Sequence, residues 1–153
     1  MIVKIKKLSN DAFVPTKATE GSAAYDLYAP YDVLVRPGRQ IIDLLFAIEL
    51  PFGYEAKIEP RSGYSSKGFA GSAASDMEPD MRFDCDVIVG KIDSDYRNSI
   101  GVILCNRDKA FFVKRGQRIA QMTIYSVGVA DFVEVDELSE TERGTGGFGH
   151  TGK

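Results

Sequence analysis

Three stretches of this chain hold residue types whose spacing suits chemistry. The tail, Arg143 to Lys153, carries five glycines among eleven residues, with Arg143, Thr145, Thr151 and Lys153 between and around them. Successive unhindered N–H groups form a concave anion nest and the cations neutralise charge, which suits phosphate. The Gly-x-x-x-x-Gly-Lys-Ser/Thr spacing of a Walker loop is missing, and composition leaves a disordered terminus as the alternative. Phe148, a lone aromatic among these glycines, asks for a stacking partner such as a nucleobase. Pro60-Arg61-Ser62-Gly63 offers a guanidinium fork and further donors for phosphate, although a plain turn accounts for the tetrapeptide by itself. In Gly90-Lys91-Ile92-Asp93-Ser94-Asp95-Tyr96-Arg97-Asn98, two carboxylates at i and i+2 share a face if the segment is extended. One could act as a general base or hold a metal through water; an Asp-rich hairpin tip with an Asp–Arg surface pair is the alternative.

The elements that must position these residues are strands. Val3 and Ile5 alternate with lysines, Tyr54 to Glu59 and Phe112 to Lys114 alternate again, and Ile41 to Ile48 is an apolar run. Ile100 to Leu104 and Ile119 to Tyr125 read as inner strands. Turn signals come often, at Arg36-Pro37-Gly38, Leu50-Pro51-Phe52-Gly53 and Lys114-Arg115-Gly116-Gln117. No window sustains a helical apolar stripe. Many short strands predict an all-β sandwich, jelly roll or barrel. Residues 70–86 are small, polar and acidic and read as a long irregular loop.

With 153 residues, 44% of them apolar and 27% charged, the chain suits one folded domain with one core. No apolar run is long enough to span a bilayer, and the N-terminus lacks the apolar core of a signal peptide. Two cysteines predict no disulfide framework and a reducing, intracellular setting; Cys85 and Cys105 read as small hydrophobes. With a single histidine, a structural zinc site is not expected. A net charge of −3 gives no pull toward nucleic acid or membrane. Five acids against Arg82 give residues 71–86 a balance of −4, so the remainder carries about +1.

Taken in order, Ala23-Ala24-Tyr25-Asp26-Leu27-Tyr28-Ala29, Pro60-Arg61-Ser62-Gly63, Gly90 to Arg97, Arg118-Ile119-Ala120-Gln121-Met122 and the tail resemble the five motifs of the trimeric deoxyuridine triphosphate nucleotidohydrolase (dUTPase) family. The resemblance covers the chain from its first strand to its last residue. It implies an all-β jelly roll, also described as a β-clip, in a homotrimer whose active sites are shared among subunits. Residues 1–142 would form the domain, and 143–153 a Gly-rich arm closing a neighbour's site. The implied reaction is attack of water on the α-phosphorus of dUTP, giving dUMP and pyrophosphate with Mg²⁺ across the phosphates. That activity keeps uracil out of DNA and supplies dUMP for thymidylate synthesis. The implied location is the cytoplasm, or the nucleus or a host cell for a eukaryotic or viral source.

Residue by residue, the resemblance makes Asp93 the group that deprotonates water and Tyr96 the aromatic beneath the deoxyribose. Asp26 would be linked to the metal through water. Arg61, Ser62 and Gly63 would form the phosphate turn, Gln121 a further phosphate contact, and Asp95 and Arg97 structural partners at the subunit contact. Val87, Gly90, Lys91 and Ile92 belong to a hairpin whose backbone would read uracil. From the tail, Arg143 and Thr151 would hold the γ-phosphate, and Phe148 would lie over the base beside Gly149 and His150. Some departures stand out. Val87 stands where some bacterial members have asparagine, and Lys91 where an aliphatic residue is usual. Asn98 replaces a common glycine, which suits a left-handed backbone. His150 replaces a serine. The acidic segment near 71–86 lengthens the usual spacing, either as a bland surface loop or as a protein-partner or gating element. A deoxycytidine triphosphate deaminase would need a glutamate near the hairpin, where Ile92-Asp93-Ser94-Asp95-Tyr96 stands. A non-catalytic jelly-roll interaction protein would need none of these motif residues.

Overall fold

The computed structural model describes residues 1–147. The chain runs through β1 (Lys4–Lys7), β2 (Tyr25–Tyr28), β3 (Val33–Val35), β4 (Gly38–Asp43), β5 (Phe46–Glu49), β6 (Tyr54–Glu59), α1 (Ser62–Lys67), β7 (Phe69–Gly71), β8 (Met81–Phe83), β9 (Cys85–Ile88), β10 (Gly90–Ile92), β11 (Gly101–Asn106), β12 (Phe111–Val113) and β13 (Arg118–Ser126). The pairing is antiparallel throughout: β10-β6-β13-β2 and β4-β11-β9 are the larger sheets, and β1-β5, β12-β3 and β7-β8 complete the body. Apart from the short α1 this is the all-β jelly roll that the family resemblance implies, one of the architectures the period-two alternation left open.

Alternation decides which side chains enter the core. In β11, Val102, Leu104 and Asn106 are buried while their neighbours are less so. Phe46, Phe69, Phe111, Ile42 and Ile119 are sealed almost completely from solvent. Asn106 is tolerated inside because its amide donates to the Lys109 carbonyl at 3.1 Å and its oxygen accepts from Asp108 N–H at 2.9 Å.

Three expectations change. The apolar run 41–48 is two strands in different sheets, broken at Leu44 and Leu45, where the backbone of Leu45 turns left-handed with φ of 59°. The phosphate turn begins a six-residue helix, α1, too short to carry the periodic stripe by which sequence reveals helices. The acidic segment is irregular over 72–80, as expected, but its flanks pair as β7 and β8. The end of the segment is ordered because Phe83 is drawn into the core, stacked on Phe111 with centroids 4.2 Å apart, and Cys85 follows it. Burial, with Asp86 adding to it, pushes the Cys85 thiol up to about 12, so this cysteine is an inert packing residue. Glu78 pairs with Lys114 at 3.0 Å, and Arg107 pairs with Asp84 at 3.1 Å and Asp86 at 2.6 Å. Three of the segment's five acids, Glu78, Asp84 and Asp86, are thus paired within the chain. No helix among the described residues is long and apolar enough to cross a membrane.

Candidate active site

Asp26 is the most enclosed carboxylate of the first cleft, 9% exposed on β2. One oxygen accepts from Arg61 Nε at 2.9 Å and the other from Arg118 at 3.3 Å. The register makes this inevitable: Asp26 lies opposite Gln121 on β13, Gln121 lies opposite Glu59 on β6, and Arg61 follows two residues later. A carboxylate between two guanidinia fixes both forks and leaves their remaining N–H donors free to face an anion. Ser62 and Gly63 open α1, so their amides have no intrahelical acceptor. Asp26, Arg61, Ser62, Gly63 and Gln121 line one cavity of about 530 Å³.

Two residues given no role by sequence support this cleft from the neighbouring cavity, which they line with Arg61 and Gly63. Arg118 balances Arg61 across Asp26, and its only signal was its place at the head of the Arg118-Ile119-Ala120-Gln121 run. Tyr64, buried on α1, donates its hydroxyl to the Arg118 carbonyl and lies beneath the Arg61 guanidinium at 5.7 Å. It therefore sets the spacing of both arginines. Its periodicity signal is nil in so short a helix.

The second cleft, about 420 Å³, is lined by Gly90, Lys91, Ile92, Asp93 and Tyr96, with Asp43 and Ser99 opposite. β10 is an edge strand, bonded to β6 on one side only, so the outward amides and carbonyls of 90–92 are available to a ligand. Gly90 has no positive φ, and a Cβ there would meet nothing closer than 3.9 Å. Neither backbone nor internal packing requires glycine at that position, which leaves room for a ligand as its use. Asp93 is exposed just past the strand, and its carbonyl accepts the Tyr96 N–H at 3.2 Å, closing the turn. Arg97 donates to the carbonyls of Ser94 at 2.6 Å and Tyr96 at 3.1 Å, which stiffens the tip.

Other expected site residues sit differently. Lys91 turns to Glu55, whose carboxyl it holds below its ordinary value while its own rises, so its charge is met by a carboxylate. Val87 is 5% exposed inside the core and does not line the cleft, which gives its side chain a packing role. Asn98 is not left-handed; its side chain accepts the Ser99 N–H at 2.8 Å. Arg143 donates to the Gly146 carbonyl of its own tail at 2.9 Å. Phe148, Gly149, His150 and Thr151 lie outside the described residues.

The two clefts occupy opposite corners of one sheet. Asp93 continues the register to face Glu55 of β6, whereas Asp26 is level with Glu59 at the far edge. Four residues along and three strands across separate them by about 19 Å. The molecule is thus a β jelly roll with a guanidinium-lined cleft at one corner and an edge-strand cleft with an acid and an aromatic at the other.

The dUTPase family model matches residues 10–89 and 83–152. The deoxyuridine 5'-triphosphate nucleotidohydrolase of Nautilia profundicola is 44% identical over 155 residues, covering 100% of both chains. Among solved structures, the dUTPase of Staphylococcus bacteriophage 80alpha with dUPNHPP superposes with a TM-score of 0.83 at 24% identity, over 99% of each chain. The dUTPase of Staphylococcus aureus phage phi11, described with a structural Mg(II) ion, has a TM-score of 0.76 at 20% identity, over 90% of this chain and 98% of that one. The chain belongs to the dUTPase family.

Proposed function

We propose that this protein hydrolyses dUTP to dUMP and pyrophosphate at sites assembled between subunits, with Asp93 as general base. The observation that carries this is the separation of the two half-sites: about 19 Å within one chain is too far for one nucleotide's reacting phosphorus to meet both Asp93 and the Arg61 turn. A homotrimer that sets one subunit's β10 hairpin against another's Asp26–Arg61–Arg118 cleft makes a whole site. The segment after β13 supports assembly, since Phe132 at 100% and Leu138 at 87% are bare in the single chain.

Within such a site each residue has a definable task. The free edge of 90–92 pairs with the base, and a base of the wrong donor–acceptor pattern leaves buried polar groups unpaired. Tyr96 packs beneath the sugar, where a 2′-hydroxyl has no room. Arg61, Ser62, Gly63 and Gln121 orient the phosphates, and Asp26 holds Arg61 in place for them. Asp93, exposed and paired with no cation among the described residues, takes the proton of the attacking water. Arg143, Phe148, Gly149, His150 and Thr151 supply the arm that covers the bound nucleotide.

The donor set fits Mg²⁺ held mainly by substrate. Among the described residues no cluster of three metal-ligating side chains exists, and both oxygens of Asp26 already serve arginines. A carboxylate retains lone pairs for a metal-bound water, and Mg²⁺ commonly keeps such waters and sits on phosphate oxygens. When bound, the ion neutralises charge on the triphosphate.

Pyrophosphate release from dUTP, beside dTTP, dCTP and UTP, tests the reading. Only dUTP should turn over, and Asp93→Asn should lower kcat by about 10²–10⁴ with little change in KM. An Asp93→Asn protein as fast as wild type would remove Asp93 from the chemistry.

A further inference from the structure

Leu45 is the one non-glycine residue with a left-handed backbone among the described residues. Leucine has no polar group with which to offset the crowding of Cβ there, so the surroundings must impose the conformation. Asp43 imposes it. Its Oδ1 accepts the Leu45 N–H at 2.8 Å, and the same oxygen accepts the Ser99 hydroxyl. Around this knot, Leu44 N–H donates to the Ile100 carbonyl at 2.8 Å, and Ile100 N–H to the Phe46 carbonyl at 2.9 Å. Ser99 is thereby fixed to the body of the fold.

Ser99 in turn holds the hairpin tip. Its carbonyl accepts the Tyr96 hydroxyl at 3.1 Å and its N–H donates to Asn98 at 2.8 Å. Asp43, Tyr96, Asn98 and Ser99 line the same cavity as Asp93. Tyr96 is 41% exposed, so burial alone does not fix the tilt of its ring. Excluding a single oxygen from a sugar requires a ring held to about half an ångström.

We infer that Asp43 is a positioning residue for sugar selection: through Ser99 it fixes the Tyr96 ring and so the preference for deoxyribose over ribose nucleotides. The inference rests on the reading that the deoxyribose packs on Tyr96. The strained Leu45 backbone follows from it, because the carboxylate that grips Ser99 also captures the Leu45 amide.

The test is the ratio of kcat/KM for dUTP to that for UTP, measured with thermal midpoints across a set of variants. Ser99→Ala removes the hydroxyl while leaving the Leu45 contact, and should lower the ratio about three- to tenfold through KM. Asp43→Asn keeps an accepting oxygen and should retain the wild-type ratio. Asp43→Ala should lose both ratio and midpoint. Adding Leu45→Gly to Asp43→Ala relieves the positive φ but gives up the packing of Leu45 against the core, and should leave the ratio lost. A wild-type ratio in Ser99→Ala, or recovery of the ratio in the double variant, would reduce Asp43 to a backbone cap and overturn the inference. A Tyr96→Ala enzyme with unchanged ratio would sink the sugar-packing reading itself, and the inference with it.

Discussion

A carboxylate's surroundings decide what it can do, and Asp26, Asp93 and Glu55 show one functional group in three settings. Asp26 is enclosed by two guanidinia, so it is a holder of arginines; Asp93 is exposed and paired with no cation among the described residues, as its proposed role requires. Asp26→Asn should reduce stability by about 1–3 kcal/mol, between exposed and buried ion pairs, and should raise KM more than it lowers kcat; urea melts and steady-state kinetics check both. Glu55 has its carboxyl lowered from 4.5 chiefly by the hydrogen bond from Lys91, and Lys91 is raised from 10.5 by the same contact. The lowered acid contributes stability above about pH 4.5 that is lost as pH falls through its folded value. The raised base contributes below about pH 10.5 and loses its contribution as pH rises through its own folded value. Glu55→Gln should therefore melt below wild type across the neutral range, and the two melting curves should converge in acid.

At the scale of elements, the acidic segment is held by what it buries. Gly71 at the end of β7 abuts the Phe111 ring so closely that an added Cβ would lie 2.4 Å from Cδ2. Phe111 is itself locked between Phe69 and Phe83, so Gly71→Ala should destabilise by about 1–3 kcal/mol, read as a lowered denaturant midpoint with unchanged slope. Removing 71–85 would take out β8 and Phe83, and should leave the chain unable to fold. Shortening only the irregular 73–79, by contrast, should leave a folded protein, because just Glu78 there pairs with the body through Lys114. Proteolysis resistance of the two deletions separates these outcomes. Strand identity was legible from alternation in Tyr54 to Glu59 and Ile119 to Tyr125. It was not legible at Phe83, where a single aromatic among acids gives no period to read.

For the whole molecule, the distance between half-sites sets the decisive experiment. Arg61→Ala and Asp93→Asn proteins, each inactive alone, should recover activity when refolded together, since the proposed site draws Arg61 and Asp93 from different subunits. Random mixing restores about a quarter of the sites. If each chain carried its own complete site, no mixture would recover. The same experiment on a sizing column should show three copies, and Phe132→Asp should shift the population toward single chains.

The sequence by itself determined the family, the all-β class and the identity of Asp93, Tyr96, Arg61 and Asp26 as the residues to watch. Motif order and side-chain period are local properties, written in residues a few positions apart. The tertiary structure decided what those residues touch. Arg118 and Arg61 meet on Asp26 across 92 and 35 positions of chain, and Asp43 reaches Ser99 across 56. Such partnerships depend on strand register, and a register is fixed only when the core selects which face of each strand is buried. The left turn at Leu45 was hidden for the same reason: no leucine announces it, and a carboxylate two residues away imposes it only once β4 and β11 are paired.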